Sequence, residues 1–368
     1  MSSTPLWLPK EEKKMKIIHT ADLHLGSALD SRFPDAITKQ RRAEVLSTFG
    51  RIIDIARAEG ARAILISGDL FDSDRPFKRD KQYFFSAVRQ SPDIEFFYLR
   101  GNHDVRESYD EELPNLHTFG TSPESYEIDG VVITGIEISA GNCESFYTSL
   151  SLDREKTNIL MLHGQISDST GEGLIDPKRL RGRGIDYVAL GHIHSFSLSY
   201  PDKDTTMVYP GTPEGRGFDE CGEKGIVLID TDDLKNPTFI KTARRNLHSV
   251  RVDVTGATDV YDVQRLIKGA AKIPREDLLR VELYGECTFD TTGIERSLSD
   301  MLLGEYYFIT IKDRTRRKIS LGDLSGDLSL RAEFLREVLS SDEDEEEKKK
   351  IIALGLRALS GDRFDGGI

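Results

Sequence analysis

At 368 residues the chain exceeds one small core, so one large domain with an appended unit is the expectation. Its composition, 38% hydrophobic and 31% charged, is ordinary for a globular protein, and no apolar run approaches the roughly 18 residues that cross a bilayer. A formal net charge of −13 weighs against a general nucleic-acid-binding surface, although an acidic total can hide local basic patches.

Positions 1–14 are polar and charged and lack an apolar signal core. They read as a disordered extension, or a start-codon artefact, ahead of Met15. The run 16–21 is a short predicted strand ending at Asp22-Leu23-His24, and on an extended segment those two polar side chains share a face. Positions 38–59 have helical spacing, with Val45, Phe49, Ile52, Ile53 and Ala56 on one stripe and Gly60 as terminator. A buried strand at 63–66 leads into Gly68-Asp69-Leu70-Phe71-Asp72. A second helix at 77–88 and a third strand at 94–99 lead into Gly101-Asn102-His103-Asp104. Strands and helices alternating in this way, with polar residues at the strand ends, form an α/β sheet that binds ligands at the carboxyl ends of its strands.

From 125 to 138 the pattern turns to β, with a turn at Asp129-Gly130. A buried strand at 158–162 ends in His163-Gly164, and another at 185–190 ends in Gly191-His192-Ile193-His194, where an extended HxH points both imidazoles to one side. Strands are expected at 206–209 and 225–229, separated by a loop rich in glycine and proline, 210–217. Beyond 247 the composition shifts to strands at 249–254, 278–283 and 306–311 and helices at 260–271 and 292–301. Two amphipathic helical stretches, 328–339 and 346–359, flank an acidic run and three lysines. The expected division is a main domain over 15–247, a small α/β unit over 248–320 and a helical segment over 327–368 suited to binding a partner.

Eight histidines are present, and five of them (His24, His103, His163, His192, His194) sit at strand ends. Three widely spaced cysteines form no CxxC pair and read as reduced thiols of a cytoplasmic protein. The strand ends together supply Asp22, His24, Asp69, Asn102, His163, His192 and His194. These nitrogen and oxygen donors, with no thiolate, suit Mn²⁺, Fe²⁺ or Zn²⁺ and are too many for one ion. Two ions about 3.5–4 Å apart clamp the attacking and leaving oxygens of a phosphoryl displacement and ready a water for attack. Asp69, in the middle of the set, is the natural bridge. His103 is placed to contact the phosphate or to protonate the leaving oxygen. Asp104 either holds the His103 ring or serves as a turn carboxylate.

The ordered motifs DLHL, GDLFD, GNHD, HG and GHIH resemble the calcineurin-like metallophosphoesterase superfamily. That resemblance implies a four-layer αββα sandwich with a two-metal site. Asp22, His24, Asp69 and His194 would hold one ion and Asp69, Asn102, His163 and His192 the other, with His103 as the catalytic histidine. A narrower resemblance, carried by HTADLHLGS, GDLFD and the stretch from YPGTPEGR to FDECGEKG, is to the DNA double-strand-break repair exonucleases of the SbcD type. It implies DNA as substrate, Mn²⁺ as the foremost metal, a capping role for the small α/β unit, and an SbcC-like coiled-coil ATPase bound by the terminal helices. Pairing of two chains is left open. Position 72 is aspartate where archaeal and eukaryotic relatives carry histidine, so no role of that histidine transfers.

Basic candidates for phosphate contacts are Arg179, Arg181 and Arg183 and the cluster Arg314, Arg316, Arg317 and Lys318. Arg216, in the glycine-rich loop, joins them as a substrate-binding candidate, with orienting the site and capping the sheet as its other readings. The leading expectation is a Mn²⁺-dependent DNA exonuclease that is also an endonuclease. The alternatives are a phosphodiesterase or phosphatase acting on a small nucleotide or other phosphoester, and a non-catalytic scaffold for the ATPase.

Overall fold

The computed structural model describes residues 15–29, 33–73, 76–104, 111–169, 171–317 and 329–359. The expected extension at 1–14, Lys318 and the last residues of the terminal segment lie outside the described residues. The chain forms two compact units. The first comprises the chain through Ser249 with Ile273–Leu279 and Tyr306–Phe308; the second comprises Val250–Lys272, Arg280–Glu305 and the chain from Ile309. Two short segments beyond the expected boundary at 247 thus group with the first unit.

The first unit begins β1 (Lys16–Thr20), α1 (Asp35–Glu59), β2 (Ala63–Ser67), α2 (Lys78–Arg89), β3 (Glu95–Leu99) and β4 (Leu116–Thr118). It continues with β5 (Glu124–Ile128), β6 (Val131–Gly135), α3 (Phe146–Ser149), β7 (Thr157–His163), β8 (Gln165–Ile166) and β9 (Leu174–Ile175). β10 (Tyr187–Gly191), β11 (Ser197–Ser199), β12 (Thr206–Tyr209), β13 (Gly225–Asp230) and β14 (Thr238–Lys241) complete it. Two six-stranded sheets result, in the orders β14-β13-β1-β2-β3-β4 and β11-β12-β10-β7-β6-β5. β1 to β4 run parallel, as do β6, β7, β10 and β12, while the outer strands turn back antiparallel.

Strand residues alternate between two cores. Ile17, Ala63, Leu65, Phe97 and Leu99 face Ile133, Ile159, Met161, Tyr187 and Ala189 between the sheets. Ile18, Ile64, Ile66, Phe96 and Tyr98 face Phe49, Ile52, Ile53 and Ala56 of α1 and Phe84 and Val88 of α2. Burial on both faces explains why β1–β3 read as continuous apolar runs rather than as alternation. α1 starts three residues before the expected 38 and ends at Gly60, whose left-handed φ of 70° and N–H to Ala56 and Arg57 carbonyls close the helix. The fourth layer, over Leu160, Leu162, Val188 and Leu190, is thin: α3, one 3₁₀ turn at Pro177–Leu180 and loop residues. The fold is therefore the expected α/β sandwich, with helices dominating only one of its two outer faces.

His19 is fully buried between the sheets. Its Nε2 lies 3.1 Å from the Leu190 carbonyl, which can only accept, so Nε2 carries the proton; Nδ1, 3.0 Å from the Tyr187 hydroxyl, accepts. Burial pushes the His19 pKa down to about 3, against the Leu190 carbonyl that favours the cation. Above the unfolded value near 6.5 this group leaves stability untouched. As pH falls from there toward 3, the unfolded chain takes up a proton that the folded chain refuses, and stability is lost. Urea unfolding should show His19→Gln losing about 2 kcal/mol less than the wild type between pH 7 and pH 5. Parallel losses in the two proteins would refute the assignment.

The second unit holds, wholly or in large part, β15 (Leu247–Asp253), α4 (Val260–Ala270), β16 (Leu278–Tyr284), β17 (Glu286–Cys287), α5 (Ile294–Met301), β18 (Phe308–Asp313) and β19 (Arg316–Arg317). Its sheet has the order β15-β16-β18, and Val252, Val281 and Leu283 are buried with Val263 and Ile267 of α4 and Leu298 of α5. Asp259 caps α4 by accepting from the Asp262 N–H. α6 (Leu330–Ser340) and α7 (Glu345–Leu359) pack on each other through Ala332, Phe334, Leu335, Ile352 and Leu356. No helix among the described residues is long and apolar enough to cross a membrane.

Candidate metal centre

The carboxyl ends of β1, β2, β3, β7 and β10 meet where β10 approaches β2 closely. A Cβ on Gly191 would lie 1.7 Å from the Ser67 carbonyl oxygen, so only glycine lets β10 come this near to β2. The Ser67 hydroxyl donates across the gap to the Ala189 carbonyl (3.1 Å). Within this junction the seven expected donors come together.

The local backbone differs from expectation. Asp22 and His24 are not on an extended segment: β1 stops at Thr20 and both residues take left-handed φ, 53° and 47°. Asp69 (50°) and His192 (101°) do the same, making four of the six positive-φ non-glycine residues described. Such conformations cost of order 1–3 kcal/mol each and persist where the surroundings over-determine them. The hydrogen bonds that do so are on hand. Asp22 N donates to Gly68 O (3.0 Å), His24 N to Asp69 O (2.9 Å), and His192 N to both Asp22 carboxylate oxygens (3.0 and 3.1 Å). His103 N donates to Asp69 Oδ1 (2.9 Å). The turn after Gly191 also parts the HxH pair, sending His192 toward Asn102 and His194 toward His24.

The ring nitrogens and side-chain oxygens then crowd together. His163 Nδ1 sits 2.9 Å from the Ser67 carbonyl and must donate, which leaves Nε2 a bare lone pair. That Nε2 faces two more acceptors, Asn102 Oδ1 at 3.0 Å and Asp69 Oδ2 at 3.5 Å. Asn102 Oδ1 also lies 3.1 Å from His192 Nδ1. On the other side, His194 turns Nδ1 to Glu220 Oε1 (2.9 Å) and His24 turns Nδ1 to Asp72 Oδ1 (3.0 Å). Their two Nε2 atoms face each other at 3.3 Å, and His24 Nε2 is 3.8 Å from Asp69 Oδ2. Nitrogen and oxygen donors gathered at these distances suit a cation, and ligand histidines backed by a carboxylate or carbonyl are usual at such sites. Asp22, His24 and His194 form one close group, and Asp22, Asp69 and His163 another.

Electrostatics agree. Burial and the neighbouring Asp69 push the Asp22 carboxyl well above its usual range. Burial lowers His24 to about 4 against the pull of Asp72, and lowers His163 and His192 as well. These imidazoles are neutral near pH 7, the form that ligates.

For two residues with open alternatives the structure favours one reading. Asp104 does not hold the His103 ring: its buried carboxylate accepts from the N–H groups of Leu70 (3.2 Å), Phe71 (2.9 Å) and Gly101 (2.9 Å), tying the two loops together. Burial pushes it up to about 6, against those N–H groups. Arg216 is not presented to a substrate: it is 6% exposed and committed to Glu220 and Asp72. The loop that carries it is buried because α1 contributes charge there. Arg41 donates to Glu214 Oε1 (2.8 Å) and the Gly215 carbonyl (2.6 Å), and Thr48 and Arg51 add bonds to Glu214 Oε2.

His103 stands at the open side, exposed, its ring centroid 5.1 Å from that of His24. Beside it a pocket of about 560 Å³ is lined by Arg100, Asn102, Ser139, His163, Gln165 and His192, among others. Arg100 forms a two-pronged pair with Glu137 (2.5 and 2.9 Å) at its wall. Arg181 and Arg183 do not line this pocket. Arg181 is exposed at the end of the 3₁₀ turn, and Arg183 Nε donates to the Arg179 carbonyl (2.8 Å). Arg179 itself pairs with Glu144 and lies over the Tyr147 ring. Arg316 and Arg317 belong to β19 in the second unit, with Arg316 exposed. Glu220, Asp72 and Arg100 escaped the sequence reading as site residues; an Arg216–Glu220 spacing of four beside the HxH motif was the available signal for the first.

Residues 15–196 match the calcineurin-like phosphoesterase family, a span that contains all seven donors and His103. The chain belongs to that family. It is a metallophosphoesterase, a hydrolase of phosphoester bonds with candidate metal ligands in place. Among its relatives is the DNA double-strand break repair protein Mre11 of Sulfolobus acidocaldarius, 28% identical over 294 residues, 74% of this chain and 75% of that protein. Another is the protein of the same name from Aeropyrum pernix, 24% identical over 298 residues, 72% of this chain and 71% of that protein. The uncharacterized metallophosphoesterase YhaO of Bacillus subtilis is 31% identical over 239 residues, 58% of this chain, and the phosphoesterase chain spans only 57% of its length.

Proposed function

We propose that this metallophosphoesterase is a two-metal DNA nuclease that hydrolyses phosphodiester bonds, as exonuclease and endonuclease, in double-strand-break repair. The observation that carries the reading is the convergence of imidazole nitrogens on both sides of Asp69 Oδ2, beside a pocket wide enough for a nucleotide. Asp22, His24, Asp69 and His194 would hold one divalent ion and Asp69, Asn102, His163 and His192 the other. Two ions there, Mn²⁺ foremost with Fe²⁺ and Zn²⁺ as alternatives, would supply Lewis acidity to the phosphoryl oxygens and activate a water. The residues of the chain do the rest. Asp69 Oδ1 fixes the His103 backbone, so the imidazole stands over the open side, where it binds the phosphate and gives its proton to the leaving oxygen. The Asn102–His163–His192 wall orients the esterified phosphate at the mouth of the pocket.

DNA as the substrate is supported by the two relatives named for double-strand break repair and by the SbcD-type motifs. The same resemblance supports an SbcC-like ATPase as partner of the α6–α7 pair. Three free cysteines suit a reducing cytoplasm. The pocket would also admit a small nucleotide ester, which is the second reading. Hydrolysis of end-labelled single- and double-stranded DNA with Mn²⁺, beside a chromogenic phosphodiester and phosphomonoester, separates the two. Stepwise shortening of DNA is the expected result. Turnover of the small esters with DNA untouched at low salt, and still untouched with the ATPase added, would replace the nuclease by a phosphodiesterase.

A further inference from the structure

The two halves of the centre are backed differently. Behind His163 stands a neutral carbonyl, Ser67 O. Behind His24 and His194 stand two carboxylates, Asp72 and Glu220, and between those carboxylates lies one guanidinium. Arg216 Nη1 donates to Asp72 Oδ1 (2.6 Å), Nη2 to Glu220 Oε1 (2.7 Å), and the Arg216 backbone N–H to Glu220 Oε2 (2.7 Å). The contacts run in sequence from His24 through Asp72, Arg216 and Glu220 to His194, whose Nε2 faces that of His24 again.

We infer that Arg216 is a positioning residue: by cross-linking Asp72 and Glu220 it sets the spacing of His24 and His194, and so sets how tightly that half of the centre holds its ion. The inference rests on the two-metal reading above. Without the guanidinium, nothing would tie the two carboxylates together, and one would swing away from its place. That change releases its histidine. Lysine cannot replace the planar fork, because one ammonium cannot reach both carboxylates in line. The brace is stiff from behind as well. Lys224, 4% exposed, donates to the His194 carbonyl (2.8 Å), and the Arg41–Glu214 pair anchors the residues before Arg216. The aspartate at position 72 thereby gains a role of its own, as the carboxylate that holds His24 and meets Arg216, rather than as a substrate contact.

The test is Mn²⁺ titration calorimetry with Mn²⁺ electron paramagnetic resonance on the full chain, for wild type, Arg216→Lys, Arg216→Ala and Asp72→Asn. Circular dichroism shows which variants fold; Asp72→Asn, half-exposed and isosteric, is the safeguard should the buried arginine prove indispensable to folding. The wild type should take two ions and show an exchange-coupled spectrum. In the folded variants one ion should bind as before and the other about 10–100-fold more weakly, with isolated Mn²⁺ replacing the coupled signal. Excess Mn²⁺ should restore hydrolysis to Asp72→Asn. Folded variants that bind both ions like the wild type would overturn the brace alone, as would lost hydrolysis that excess Mn²⁺ does not restore. A wild type that takes up no Mn²⁺ would overturn the metal reading and the brace together.

Discussion

Asparagine at position 69 is expected to abolish Mn²⁺-dependent hydrolysis while leaving the fold intact. Asp69 does two things with two oxygens. Oδ1 accepts from the His103 N–H, a bond that an asparagine carbonyl can also accept. Oδ2 lies 3.8 Å from His24 Nε2 and 3.5 Å from His163 Nε2, on the line between the two halves, where a neutral amide cannot serve as a bridging anion. The left-handed φ of 50° is one that asparagine adopts readily, so the backbone is not strained by the change. A metal clamp contributes several kcal/mol of transition-state stabilisation, and each 1.36 kcal/mol is tenfold in rate, so activity should fall by about 10³-fold or more. Stability should move the other way. In the metal-free chain, Asp69 is one of the groups that push the Asp22 carboxyl up, and removing that charge relieves a buried repulsion. Metal-free Asp69→Asn should therefore melt no lower than the wild type, and added Mn²⁺ should raise its melting temperature much less. A variant that Mn²⁺ stabilises as strongly as the wild type would show that Asp69 does not bridge the two halves.

The parts of the fold that were legible in the sequence are those whose physics is local. β1, β2 and β3 stood out because both faces of their sheet are covered, which produces apolar runs ending abruptly in polar residues. The hairpin of β5 and β6 was signalled by Asp129-Gly130, both of which take positive φ. Edge strands were missed: β11 is exposed along its whole length and β14 has exposed ends, so neither carries an apolar signature. The candidate ligands at the strand ends were picked out by residue type, and the extended geometry expected of Asp22-Leu23-His24 and of the HxH pair does not hold. Asp22, His24 and His192 converge because the backbone leaves the extended region after the strand, not because it stays there. What no local pattern reveals is the burial of charge. Arg41, Glu44 and Thr48 fall on the buried stripe of α1, where the sequence suggests only Val45, Phe49 and their apolar neighbours. Their partner, Glu214, lies far along the chain in a loop whose glycines and prolines suggest solvent. That long-range pairing buries the loop, and it turns Arg216 from an apparent phosphate contact into a group locked behind the centre.

His103→Ala is expected to keep both ions and lose turnover by about 10²–10⁴-fold, the range of a general acid–base residue. The side chain is exposed and only its backbone N–H is engaged by Asp69, so truncation should leave the melting temperature and the Mn²⁺ affinity near those of the wild type. His103 also lies within reach of His24 and Asp72, a grouping compatible with ligation. Loss of an ion in the variant would therefore convert it from a proton donor to a ligand. Two roles remain to be separated when the ions stay: protonating the leaving oxygen and binding the phosphate. The leaving group does this. A sugar hydroxyl leaves as a strongly basic alkoxide and needs a proton, whereas a nitrophenolate leaves without one. If His103 is the proton donor, the variant should fail on DNA and keep most of its rate on a nitrophenyl phosphodiester. If it binds phosphate, both substrates should suffer alike. Equal losses on the two substrates would thus end the general-acid assignment while leaving the metal centre as described.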